Sequence, residues 1–159
     1  MVERISAATI VVRPASEADL PAVLALYADP GFGDAAVLSV EAAKAVFDRF
    51  ATYPDYALYV AVDGADVVGT FALLVMDNLG HLGTPSAVVE DVVVAAGRRG
   101  EGVGRRMMAE AARLAAAKGC YKLALSSNLQ REAAHAFYAS LGFEQHGLSF
   151  RIGLERSAP

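Results

Sequence analysis

Residues 99–106 read Arg99-Gly100-Glu101-Gly102-Val103-Gly104-Arg105-Arg106, and they join an apolar run at 87–94 to a helix-forming stretch. Glycines at alternate positions remove the β-carbons that keep a ligand away from the backbone. Beyond them Val103, Met107, Ala111 and Leu114 share one helical face, while Arg106, Glu110 and Arg113 are placed to pair on the other. The first turn of such a helix has unpaired N–H groups and carries the positive end of the helix dipole. An anion belongs there, and a pyrophosphate fits. Arg99, Arg105 and Arg106 can add charge-assisted bonds to the same group.

Working outward, the 87–94 run is interrupted only by Glu90 and Asp91, as expected of a strand buried on both faces. Gly119 ends the helix, residues 121–126 read as a strand, and 132–141 as a helix closed by Gly142. Residues 148–154 read as a last strand. Upstream, a short strand at 10–13 ends at Pro14, and Ser16 or Asp19 can cap a helix carrying Leu20, Val23, Leu24 and Tyr27. Asp29-Pro30-Gly31-Phe32-Gly33-Asp34 breaks it, and a second helix is expected over 40–50 with Ser39 as its cap. Residues 56–62 and 67–76 flank the Asp63-Gly64 turn as a hairpin, and a polar, glycine-containing loop fills 77–85. Strand, helix, strand, helix in the middle implies a parallel pair with a right-handed crossover, and the flanks read as antiparallel. The expected architecture is α/β, a mixed sheet with helices on both faces.

Composition narrows the function. A chain of 159 residues with 55% apolar and 20% charged residues reads as one domain, 1–159, with a core of its own. The net charge of −4 and a pI near 5.3 leave Arg98, Arg99, Arg105 and Arg106 as the dense basic cluster, enough for one phosphorylated small molecule and too little for nucleic acid. No apolar run is long enough for a membrane helix, and residues 1–8 show no leader pattern. Cys120, the single cysteine, reads as a buried inert thiol and suits a reducing, cytoplasmic setting. His81, His135 and His146 match no metal-ligand spacing, so no metal is expected.

Two phosphate motifs fail on the glycine loop. Gly97 and Gly102 have Walker A spacing, but Val103 stands where a lysine is required. The dinucleotide fingerprint needs a third small residue at Arg105, and Ser126-Ser127-Asn128 offers no acid for a ribose. What the loop matches is an Arg, two residues, Gly, one residue, Gly. After Glu90-Asp91-Val92-Val93-Val94 this pattern resembles the acetyl-CoA loop of the GNAT superfamily of N-acetyltransferases. Ala134-His135-Ala136-Phe137-Tyr138 followed by Leu141-Gly142-Phe143 resembles the family's tyrosine-bearing helix, and the order of elements from 10 to 154 agrees with its fold.

The resemblance implies a central mixed sheet with a splayed parallel strand pair. It also implies acetyl-CoA as acyl donor, with its pyrophosphate on Arg99, Gly100, Gly102, Val103, Gly104 and Arg105. The strand backbone at Val92, Val93 and Val94 would hold the pantetheine arm and polarise the thioester carbonyl, an effect typically worth ~3 kcal/mol of barrier. Tyr138 would protonate the departing thiolate; its bland alternative is a core aromatic. Phe137 is expected to pack against the cofactor or core. Asn128 has two even readings, a ligand to the cofactor or ordinary turn chemistry. Glu90 and Asp91 should point to opposite faces, with Glu90 the expected base.

The implied activity is direct acetyl transfer to a primary amine without an acyl-enzyme. Val89-Glu90-Asp91-Val92-Val93-Val94 and Cys120-Tyr121-Lys122 resemble glucosamine-6-phosphate N-acetyltransferases. Ser127-Asn128 with the Tyr138 helix resembles aminoalkylphosphonate and other small-amine acetyltransferases. Both favour a small amine over a protein N-terminus or lysine. The rival class is a GNAT-like domain that senses acyl-CoA without turnover. Homodimerisation through the sheet edge or last strands is common in the family.

Overall fold

The computed structural model describes residues 9–33 and 36–155; the leader reading at 1–8 and Asp34 of the helix-breaking run lie outside them. The chain forms two compact units, one running to Leu125 and one from Ser126. In the first unit, β1 (Val11–Pro14) is followed by α1 (Leu20–Tyr27), α2 (Val40–Phe50), β2 (Tyr56–Asp63), β3 (Asp66–Met76) and β4 (Ser86–Val94). Then come α3 (Val103–Ala117) and β5 (Leu123–Ala124), while α4 (Glu132–Ser140) belongs to the second unit.

The strands lie in the order β1-β2-β3-β4-β5, antiparallel up to β4 and parallel between β4 and β5. The expected mixed sheet is present, and helices cover both of its faces. Alternation along β3 assigns them. Ala72 joins Val60, Val62, Leu20, Val23 and Ala43 in the core under α1 and α2. Gly69 faces the other way, where an added β-carbon would collide with the Met107 sulfur and Val103 of α3. Phe71 and Met107 are fully buried on that side.

Local chemistry explains the helix starts. Ser39 accepts the Ala42 N–H at 3.2 Å and caps α2. Before α1 the chain makes a short 3-10 turn at Glu17–Asp19. There the buried Asp19 carboxylate takes two bonds from Arg13, at 2.8 and 2.9 Å, and one from the Ser16 backbone N–H at 2.7 Å. Two residues read as alternative caps thus act together.

Two expected strands differ. The predicted strand at 121–126 shrinks to Leu123–Ala124, paired with β4 only at Ala87 and Val88. Residues 148–154 form no strand. Leu148, Phe150, Ile152 and Leu154 are between 73% and 88% exposed. The alternation is real, but a strand is held by its ladder, and α4 is the sole regular element among the described residues of the second unit.

Candidate active site

The sheet departs from regular pairing at Ala61 and Val62 of β2 and again along β4, where the candidate site residues lie. The pairing of β4 with β5 ends at Val88 and Ala124, so residues 89–94 lack a β5 partner and the two parallel strands part. Against β3, Ala72 faces Glu90 and Thr70 faces Val93, leaving Phe71 opposite both Asp91 and Val92. This is a β-bulge, and its extra residue is Asp91 or Val92. Asp91 takes a φ of 52°, the left-handed region that a short polar side chain tolerates best.

The bulge corrects two expectations. Neither Glu90 nor Asp91 is buried; both side chains reach solvent. Nor does simple alternation assign their faces; the Tyr56 phenol is raised chiefly by its own burial, and the charges of Asp91 and Glu90 add to it. An inserted residue breaks the period of two on which the opposite-face reading rests. Asp91 also raises the Tyr27 phenol, whose larger cause is its own burial. Partial burial lifts both carboxyls above the ordinary range, and for Glu90 the neighbouring Asp91 charge adds to it. Tyr27 stacks on Phe32 at 4.7 Å and Tyr56 on Phe50 at 4.2 Å, so aromatic rings surround this part of the site. Tyr27 and Tyr56 carried no signal beyond core spacing in the sequence.

Val92, Val93 and Val94 lead straight into the glycine loop. Val93 is buried, while Val92 and Val94 are half-buried. Gly100 and Gly102 adopt φ values of 81° and 86°, and a β-carbon at either would meet open space. The glycines are therefore required by backbone conformation. Gly102 is the N-cap of α3, and no side chain caps that helix. Its first-turn amides, from Val103, Gly104 and Arg105, face outward for an acceptor of another kind. The fit to a pyrophosphate is good: an uncapped terminus, an open approach and cationic side chains beside it.

The arginines are engaged differently. Arg98 is held by Asp63 at 2.8 Å and by Glu101. Arg106 donates to the Ile10 carbonyl at 3.3 Å, and Glu110 pairs with Arg113 rather than with it. Arg99 bonds Asp29 at 3.0 Å. Arg105 makes no ion pair among the described residues. Beside this loop, at the end of β4, lies a cleft of about 410 Å³ between Ala22, Ala25 and Asp29 on one wall and Val94, Ala95 and Ala96 on the other.

The remaining candidates sit in the second unit. Tyr138 is half-buried in α4, with Phe137 and Phe143 at 5.2 and 5.6 Å between ring centres, and burial raises its phenol. Asn128 makes an Asx turn, its side-chain oxygen accepting the Gln130 N–H at 2.9 Å and its carbonyl meeting His135 Nε2 at 2.8 Å. Turn chemistry therefore occupies that oxygen. Ser127 Oγ, given no role in the site from sequence, is buried without a hydrogen-bond partner among the described residues. Cys120 is half-buried and its thiol is raised by burial.

No group of three His, Cys, Asp or Glu among the described residues is placed to hold a metal ion. No described helix is long and apolar enough to cross a membrane.

Comparison with known proteins follows the same lines. The model of the acetyltransferase (GNAT) family matches residues 20–143. Glucosamine 6-phosphate N-acetyltransferase of Trypanosoma brucei brucei is 33% identical over 88 residues, 55% of this chain and 58% of that protein. The match thus spans less than two thirds of that relative. A probable glucosamine 6-phosphate N-acetyltransferase 2 of Oryza sativa subsp. japonica is 33% identical over 70% of this chain and 68% of its own length. A putative acetyltransferase from Agrobacterium tumefaciens str. C58 superposes with a TM-score of 0.85 at 36% identity, covering 91% of this chain and 100% of that one.

Proposed function

The chain belongs to the GNAT acetyltransferase family, and from that premise we propose that it transfers an acetyl group from acetyl-CoA to the primary amine of a small molecule by direct attack. The observation that carries this reading is the bulged end of β4, unpaired on its β5 side, running into an uncapped helix through two left-handed glycines. It offers backbone N–H groups for a thioester at one end and for a pyrophosphate at the other.

In this reading Arg99, Gly100, Gly102, Val103, Gly104 and Arg105 hold the pyrophosphate. Backbone at Val92, Val93 and Val94 binds the pantetheine arm and stabilises the oxyanion. Direct transfer needs a neutral amine, and Glu90 takes its proton; a carboxyl raised by burial and by Asp91 is better matched to that task than an ordinary one. Tyr138 donates to the departing thiolate. Its phenol, raised by burial, keeps its proton through the neutral range. Phe137 packs beside it. Asn128 contributes at most its amide N–H groups, since its oxygen closes a turn.

The names of the relatives point to an amino sugar phosphate as the first acceptor to try. The reading includes a reducing cytoplasm, which one cysteine suits. It also includes a homodimer, for which Leu148, Phe150, Ile152 and Leu154 supply an exposed apolar stretch. Thiol release from acetyl-CoA across a panel of amino sugars, their phosphates, aminoalkylphosphonates and peptides tests the activity. Calorimetric titration with CoA and with ATP tests the donor. ATP binding without CoA binding overturns the reading, and CoA binding without turnover on any amine favours the sensor.

A further inference from the structure

We infer that Asp29 is a positioning residue for the donor, a carboxylate that holds Arg99 until a phosphate displaces it. The inference rests on the glycine loop being the pyrophosphate site. Arg99 is the loop guanidinium whose distant partner is a carboxylate in the wall of the cleft at the end of β4. Its Nη2 donates to Asp29 Oδ2 at 3.0 Å, across 70 residues of sequence. Arg98 is held on two sides, and Arg106 is turned towards β1.

The two ends of the Arg99–Asp29 pair differ in exposure. The Arg99 side chain is 54% exposed and open to a ligand, whereas that of Asp29 is 18% exposed and built into the cleft wall beside Ala95 and Ala96. Asp29 Oδ1 is also committed, accepting the Gly31 N–H at 2.8 Å. A carboxylate and a phosphate compete for the same N–H groups of a guanidinium, and a phosphate binds best by taking two of them at once. A pyrophosphate arriving at Arg99 therefore meets a like charge already in place. Binding exchanges one anion for the other. Once freed from Arg99, Asp29 no longer ties the end of α1 to the loop. The contacts within the segment, the Asp29–Gly31 bond and the stack of Phe32 on Tyr27, do not involve Arg99 and stay in place.

The test is a double-mutant cycle read by calorimetric titration with CoA, using the full chain and the variants Asp29→Asn, Arg99→Gln and both together. Asp29→Asn keeps an oxygen for Gly31 and removes the competing charge, so CoA should bind about tenfold tighter. Arg99→Gln should bind CoA about tenfold more weakly. In the Arg99→Gln background the Asp29 change should have little effect, which simple charge repulsion does not predict. CoA binding no tighter in Asp29→Asn, or equally tighter in both backgrounds, overturns the exchange and leaves the pyrophosphate site standing. An Arg99→Gln variant that binds CoA like the wild type removes the guanidinium from the phosphate site, and the exchange falls with it.

Discussion

Asp91 occupies a backbone conformation that most residues avoid, and the β-bulge that requires it brings two carboxylates near the same phenol. The charge of Asp91 raises the Glu90 carboxyl, so removing that charge should lower it. A base works only when deprotonated, and activity must fall as pH drops through its raised pKa. Asp91→Asn keeps a side chain that tolerates positive φ and should move the acid limb of the kcat/KM profile to lower pH. Glu90→Gln should abolish that limb and cost about a hundredfold in rate at neutral pH. If the limb survives in Glu90→Gln, Glu90 is not the base. Tyr138→Phe should lower kcat at least about tenfold while leaving the affinity for CoA unchanged, because its hydroxyl is needed only as the thiolate leaves. An unchanged kcat reduces Tyr138 to packing. The sequence marked Glu90 and Tyr138 by residue type and motif, but it had no means of showing that Asp91 lies on a bulge. Asp91-Val92-Val93-Val94 is as compatible with a regular pleat as with an interrupted one. Asp29 was equally invisible, since its partner is 70 positions away.

At the scale of elements, the legible parts were those whose stability is local. The α2 helix falls at Val40–Phe50 with its Ser39 cap, as the spacing predicts, and α3 and α4 lie where periodicity and a closing glycine put them. Strands depend on partners, so β5 and the 148–154 segment were misjudged in length or in kind. Two elements carry predictions. Gly102 opens α3 with a φ of 86°, and Gly102→Ala should cost about 1 kcal/mol of stability and weaken CoA binding as the first turn shifts. Urea unfolding and CoA titration check the two parts. At the start of α1, Arg13 holds the Asp19 carboxyl well below the usual carboxylate range, more strongly than burial pushes it up, and Ser16 adds to the lowering. A lowered folded pKa gives stability that is complete above the unfolded value of ~4 and lost as pH falls through the folded one. Asp19→Asn should therefore be less stable than the wild type by about 2 kcal/mol near neutrality. The gap should close in strong acid. A gap independent of pH makes the loss one of shape, not charge.

For the whole molecule, the order of strands and helices was readable from alternating apolar periods, and the mixed sheet with helices on both faces follows from it. The parting of β4 from β5 was an implication of family likeness alone, and in the structure their pairing stops after Val88 and Ala124. The acceptor was the least legible feature. No sequence motif marks it, and residues on separate elements, such as Tyr27, Tyr56 and Asp91, are linked by no spacing rule. The glycine loop began as an anion site of several meanings, and Val103 and Arg105 removed two of them. The central proposal is that this loop receives acetyl-CoA for transfer to a small amine. Thiol release from acetyl-CoA, followed with glucosamine 6-phosphate and the wider amine panel, tests that most directly. Turnover that requires both acetyl-CoA and a small amine, and that weakens in Arg99→Gln, is the predicted result. CoA binding with no thiol released on any amine contradicts it.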